Sequence, residues 1–216
     1  GPGFINFRMA DSVMKKELID IYSAGNNYGK SNFGKGKKVL IEFVSANPTG
    51  PLNVVNARAA AYGDSLFRIM THVGFEAKRE FYVNDAGNQV DILAESLELR
   101  YRELLGENIG DFPVEAYQGE YVTEIAILLK TVEGTKLVHM AEKDRLEKLK
   151  RFALDEINRM QMESLDRFDV EFDNWFSERA LREEGIVEEV LSYLSEAGCT
   201  YEKDDAVWFY SSKFGD

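Results

Sequence analysis

The sequence predicts an α/β fold, with parallel strands joined by helices and interrupted by a mainly helical insertion. Two observations carry that expectation. First, a β-branched apolar run (residues 39–44), a helix-patterned stretch (56–73) and a second apolar run (77–83) follow one another. Their combined span, about 45 residues, is the size of a right-handed crossover between parallel strands. Second, helical spacing dominates from there to about residue 168, a texture that a continuing strand–helix alternation would not produce.

Taken in order, residues 1–37 are rich in Gly, Asn and Ser around one amphipathic stretch, Ser12 to Tyr22, and read as a linker bearing one helix. Gly1-Pro2 reads as a tag remnant. The run Val39 to Val44 is too short for a helix and is bounded by Gly36 and Asn47, which predicts a buried strand. Pro48, Gly50 and Pro51 then force a loop. From Asn56 to Val73 alanines dominate, and Leu66, Ile69, Met70 and Val73 recur at helical spacing, with Gly74 as the stop. Ala77 to Val83 is a second strand. Helices are predicted over 89–105, 121–130 and, as one long charged helix, 136–168, with a loop over 106–119. Val170 to Phe172 reads as a strand and Arg182 to Ala197 as a helix stopped by Gly198. Thr200 to Tyr210 reads as a hairpin turning at Asp204-Asp205. Two or three strands are few for a large parallel sheet, so the fold is expected to be unfinished at Asp216.

Composition bounds the function. Of the 216 residues 44% are apolar and 30% charged, as in ordinary globular proteins, and no run reaches the roughly 18 apolar residues of a membrane span. With no signal-peptide pattern at the start, a cytoplasmic protein without membrane partners is expected. Cys199 is the only cysteine, which excludes an internal disulfide and a multi-cysteine zinc site; it reads as a small buried apolar residue. The net charge of −12 argues against a surface devoted to nonspecific nucleic-acid binding, and DNA is not an expected partner. The basic groups at Lys35, Lys37 and Lys38 and from Lys143 to Arg151 read as solvated loop and helix faces.

The segment that carries chemistry is Asn47-Pro48-Thr49-Gly50-Pro51-Leu52-Asn53-Val54-Val55-Asn56, at the junction of strand, Gly/Pro loop and helix. Such a junction presents free N–H groups and a positive dipole end to an anion. It matches neither a P-loop nor a dinucleotide fingerprint, and a tight strand-to-helix turn explains the same residues.

At these residues the chain resembles class I arginyl-tRNA synthetases. Ile41-Glu42-Phe43-Val44-Ser45-Ala46-Asn47-Pro48-Thr49-Gly50-Pro51-Leu52 is similar to the strand and loop leading into that family's HIGH motif, and Tyr82-Val83-Asn84-Asp85-Ala86-Gly87-Asn88-Gln89 to its second strand and turn. Gly3 to Phe7 resembles the end of the family's N-terminal tRNA-contacting domain, and Tyr117-Gln118-Gly119-Glu120-Tyr121 a patch within its insertion. Phe172 to Glu178 and Asp204 to Phe209 resemble the segment that returns to the catalytic sheet.

The resemblance implies a partial Rossmann-like nucleotide-binding domain. Residues 1–37 would link from the tRNA-contacting domain, 38–92 open the catalytic domain, 93–168 form the insertion and 169–216 return to the catalytic domain. It implies ATP-dependent activation of L-arginine to arginyl-adenylate and transfer to tRNA(Arg) in the intact enzyme. ATP is then a substrate accompanied by Mg2+, with no protein-bound metal. Glu42 is implied to bind the arginine guanidinium, a planar fork that a carboxylate accepts with paired hydrogen bonds, in a pocket flanked by Ser45 and Asn47. Ser45 and Asn47 are implied to hold the substrate's α-amino and carboxyl groups. Gly50, Pro51, Asn53, Val55 and Asn56 are implied to meet ATP, with Asn53 and Asn56 as the catalytic donors, and Asn84, Asp85 and Gln89 to line the cleft. Each also has a plainer reading: Glu42 as a surface acid at a sheet edge, the short polar residues as helix caps or turn formers.

Four positions depart from the family pattern. Where HIGH has its two histidines and its glycine, this chain has Asn53, Asn56 and Val55. Asparagine keeps an amide donor without the charge, whereas valine sets a β-branched side chain where the backbone should be bare. Gly50 stands where some members carry a lysine, which implies reliance on a lysine of the KMSK loop that these residues lack. Adenylate chemistry by the 216 residues alone is therefore not expected. The competing expectation is a noncatalytic module that binds an amino acid, a tRNA end or a protein.

Overall fold

The structure, a computed structural model, describes residues 3–216; the Gly1-Pro2 pair lies outside them. Helix α1 (Asp11–Ala24) precedes strand β1 (Lys38–Glu42), helix α2 (Val54–His72) and strand β2 (Glu76–Val83). The insertion follows as α3 (Asn88–Leu104), α4 (Glu120–Glu133) and α5 (Glu142–Arg167), after which the chain returns through strand β3 (Asn174–Ser177). Helices α6 (Glu178–Glu183) and α7 (Ile186–Glu196) lead to a hairpin of β4 (Thr200–Lys203) and β5 (Ala206–Phe209). The three long-range strands form one parallel sheet in the order β1-β2-β3, with Glu42 opposite Glu80 and Val83 opposite Ser177. The predicted crossover is thus present, and α2 ends where expected, with Gly74 at φ 91° behind it.

Two apolar cores hold these elements. One lies wholly within the insertion, where Leu97 and Tyr101 of α3, Ile125 and Leu129 of α4 and Leu149, Ala153 and Ile157 of α5 are all buried. The other lies under the sheet and joins Ala60 of α2, Phe81 and Val83 of β2, Leu165 of α5 and Val170. There the Phe81 ring stacks on Trp175 at 4.3 Å and meets the Phe172 ring edge-on at 5.4 Å. Helix α5 therefore serves both cores, its N-terminal half in one and its last turn in the other. The opposite face of the sheet is open: Leu40 is 59% exposed, and Glu42 and Lys78 lie beside it. Among the described residues of α7, β4 and β5 none is buried.

Three expectations about elements are corrected. Residues 170–172 are not a strand: Val170 and Phe172 are packed under the sheet as separate core side chains, and pairing begins at Asn174. The switch is made at Asp173, whose backbone N–H donates to the Arg79 carbonyl at 3.0 Å while its carboxylate accepts the Arg79 backbone N–H at 2.7 Å. The long charged helix is interrupted: a short 3-10 turn over Lys136–His139 buries Leu137, and the chain is extended at Met140 and Ala141 before α5 starts. Burial of Leu137 outweighs the helical propensity of the stretch, and Glu142 and Asp144 then complement the new helix N-terminus. The predicted helix 182–197 is two helices, split at Gly185, which takes the left-handed conformation at φ 73°. Cys199 is half-buried rather than buried.

A guanidinium binds the sheet core together. Arg79 lies over the Phe67 ring, pairs with Asp173 at 3.2 Å and approaches Asp64 at 3.6 Å, so α2, β2 and the return segment meet on one nearly buried cation.

Candidate functional site

The candidate segment begins where β1 ends. Val44 and Ser45 take φ values of 66° and 37°, a conformation that costs a β-branched residue free energy and that ordinary turns avoid. The Ser45 N–H closes this turn onto the Phe43 carbonyl at 2.9 Å, and the Ser45 hydroxyl accepts the backbone N–H of Tyr82 at 3.1 Å. The hydroxyl hydrogen stays available as a donor. Two strained residues in succession therefore aim Ser45 across to the end of β2.

Asn47 follows and is held on both sides. Its amide donates to Gln89 at 2.9 Å and its side-chain oxygen accepts from Asn84 at 3.3 Å. Three side-chain amides, one from the β2 turn, one from the first turn of α3 and one from the β1 loop, thus form one chain of hydrogen bonds. Asp85 stands apart from it. Its buried carboxylate accepts the Ser177 hydroxyl at 2.7 Å and the Arg179 backbone N–H at 2.8 Å, fastening the end of β2 to the start of α6.

At the start of α2, Asn53 is the N-cap. Its side-chain oxygen accepts the N–H groups of Val55 and Asn56, and the Asn56 side-chain oxygen accepts the Asn53 N–H at 2.9 Å, a complete capping box. The helix terminus therefore satisfies much of its own donor set. What remains for an anion is the Val54 N–H, the dipole, and the amide N–H2 groups of Asn53 and Asn56, which have no partner among the described residues. Val55 is 68% exposed and Pro51 is exposed. An open, mostly apolar groove of about 270 Å³ runs beside this turn between Leu52, Asn53, Val54 and the Ser164, Leu165 and Phe168 end of α5.

The structure thus brings Ser45, Asn47, Asn84 and Gln89 together at the carboxyl ends of β1 and β2, with Asn53 and Asn56 on the adjoining helix start. It gives Glu42 no hydrogen bond to them: that carboxylate is exposed on the open sheet face and makes no hydrogen bond or ion pair among the described residues. Two residues that sequence reasoning did not place here are Tyr121 and Gln161. The Tyr121 hydroxyl donates to the Thr49 carbonyl at 2.6 Å, and the Gln161 amide donates to the carbonyls of Asn47 at 3.2 Å and Gly50 at 2.8 Å. The signal for Gln161 was present: it continues the i, i+4 stripe of Leu149, Ala153, Ile157 and Leu165 that α5 buries, and with Arg145 it is one of two polar residues in that series. Tyr121 had only its place in a quoted block of the insertion.

A family model described as tRNA synthetases class I (R), catalytic domain, matches residues 17–216. The chain belongs to that family. Curated relatives of the family agree: an arginine–tRNA ligase of Carboxydothermus hydrogenoformans is 46% identical over all 216 residues, and one of Oceanobacillus iheyensis is 44% identical. The chain spans 39% of the length of each of these relatives. A solved Campylobacter jejuni structure described as an arginyl t-RNA synthetase superposes with a TM-score of 0.83 at 29% identity, covering 96% of this chain and 45% of that one. The Thermus thermophilus arginyl-tRNA synthetase shares the fold, with a TM-score of 0.58 at 23% identity over 96% of this chain and 34% of its own. The α/β architecture with its parallel sheet is that of the class I catalytic domain. Among the described residues no helix is long and apolar enough to cross a membrane.

Proposed function

We propose that these residues open the catalytic domain of an arginine–tRNA ligase, a cytoplasmic enzyme that activates L-arginine with ATP and transfers it to tRNA(Arg). The observation that carries this reading is the junction between β1 and α2: a strained turn at Val44 and Ser45, a fixed Asn47 and a helix N-terminus converge on one sheet end. Strain of this kind persists only where the surroundings enforce it, and it gathers at functional sites.

In this reading the arginine carboxylate attacks the α-phosphorus of ATP as the bond to pyrophosphate breaks, giving arginyl-adenylate; a hydroxyl of the terminal ribose of tRNA then attacks the activated carbonyl, and AMP leaves. Both steps depend on positioning and charge stabilisation. Glu42 accepts the guanidinium, and Ser45 and Asn47 orient the α-amino and carboxyl groups. Asn84 and Gln89 support Asn47 from the cleft wall, and Asp85 fixes the turn that carries them. The loop through Gly50 and Pro51 and the helix start at Asn53, Val55 and Asn56 meet ATP, with the Asn53 and Asn56 amide groups as donors to its phosphates. Mg2+ arrives with those phosphates and water.

Arginine-dependent ATP–pyrophosphate exchange by the full-length protein, with tRNA present, tests this directly. Glu42→Gln is expected to raise the arginine KM roughly ten- to hundredfold, the worth of a hydrogen bond to a charged group, with the ATP KM unchanged. Arginine binding without ATP binding would instead identify a noncatalytic amino-acid-binding module.

A further inference from the structure

The loop that joins β1 to α2 is held from outside the sheet. Three of its carbonyls, those of Asn47, Thr49 and Gly50, accept hydrogen bonds from two side chains of the helical insertion, Gln161 of α5 and Tyr121 of α4. Both donors are well fixed. Gln161 is fully buried at the boundary of the two apolar cores, and burial pushes the Tyr121 phenol up from its ordinary value, so it stays protonated. The aromatic ring also sits where bulk is excluded. A Cβ on Gly119 would overlap it, and a Cβ on Gly50 would lie only 3.3 Å from it.

We infer that Gln161 and Tyr121 are positioning residues for nucleotide binding: through the Asn47, Thr49 and Gly50 carbonyls they fix the loop that sets the first turn of α2 against the ATP phosphates. The inference rests on the functional reading above and adds a role for the insertion. Partly buried carbonyls that lose their donors must find water or another partner, so the loop has one arrangement while both side chains are present and several when they are lost. The effect falls on the nucleotide side. Asn47 has its own side-chain supports in Asn84 and Gln89, whereas Gly50 and Thr49 lead straight into α2 and, among the described residues, their carbonyls take side-chain hydrogen bonds from the insertion alone.

The test uses the full-length protein with Gln161→Met, which keeps size and removes both donors, and Tyr121→Phe, which removes one hydroxyl. Pyrophosphate exchange and calorimetric ATP binding are measured alongside the thermal midpoint. The expected result for Gln161→Met is an ATP KM and an ATP Kd raised about tenfold with the arginine KM within about twofold of wild type, and a smaller change in the same direction for Tyr121→Phe. A purely structural role would lower the thermal midpoint and leave both KM values in place; that outcome overturns the inference. Wild-type exchange with unaltered ATP binding in both variants also overturns it and spares the functional reading. A wild-type protein that binds no ATP sinks both.

Discussion

Asn53 has two functional groups on one amide, and they face different tasks. Its oxygen caps α2 by accepting from Val55 and Asn56, while its N–H2 is the group proposed to meet phosphate. Substitution separates the two. Asn53→Asp keeps the acceptor and suits the positive helix end, so stability is expected to stay at or above wild type. The same change removes a donor and sets a negative charge beside ATP, and exchange is expected to fall roughly a hundredfold, the usual loss for one transition-state donor. Asn53→Ala loses both and is expected to cost about 1 kcal/mol of stability as well. Unfolding midpoints and exchange rates measured on the same preparations check the pair; equal activity in Asn53→Asp and wild type would leave Asn53 as a helix cap and nothing more.

At the scale of elements, β3 enters the sheet through Asp173, and its ion pair makes the entry pH-sensitive. Burial alone raises the Asp173 pKa, but the hydrogen bonds and charge of Arg79 more than offset it, and the net shift is below the ordinary carboxylate value. A lowered folded-state pKa means a contribution to stability that is complete above about pH 4 and lost as pH falls through the folded value. Asp173→Asn is therefore expected to lower stability at neutral pH and to flatten its decline in acid, as urea midpoints between about pH 5 and about pH 2 would record. The same junction shows what was legible in the sequence. β1, α2, β2 and the hairpin carry strong local signals, namely β-branched runs, helical spacing and an Asp-Asp turn, and each lies within a few residues of its expected place. The entry to β3 does not, because Val170 and Phe172 are apolar for the sake of the core below the sheet. The candidate site divides likewise. Ser45 and Asn47 were readable as short polar residues at a strand end, and Asn84 and Gln89 as cleft-lining residues after the second strand, whereas the roles of Tyr121 and Gln161 depend on contacts 72 and 111 residues distant along the chain. The exposure of Glu42 agrees with its plain reading as a surface acid at a sheet edge, whereas the pocket around it was implied by the resemblance alone.

For the whole molecule the deciding feature is that α5 belongs to both cores. Its 26 residues span about 39 Å, and about 24 Å of that separates Leu149 in the insertion from Leu165 beneath the sheet. Amide hydrogen exchange is expected to report one cooperative unit, with Ala153, Ile157 and Leu165 protected to the same degree and opening together. Faster exchange confined to residues 149–157 would mean that the two cores melt separately. Excising the insertion by splicing residue 92 to residue 169 would accordingly do more than shorten the chain. It would take away the floor on which Phe81 and Val170 rest, so the helical module can be neither trimmed off nor transplanted without rebuilding the sheet it underpins.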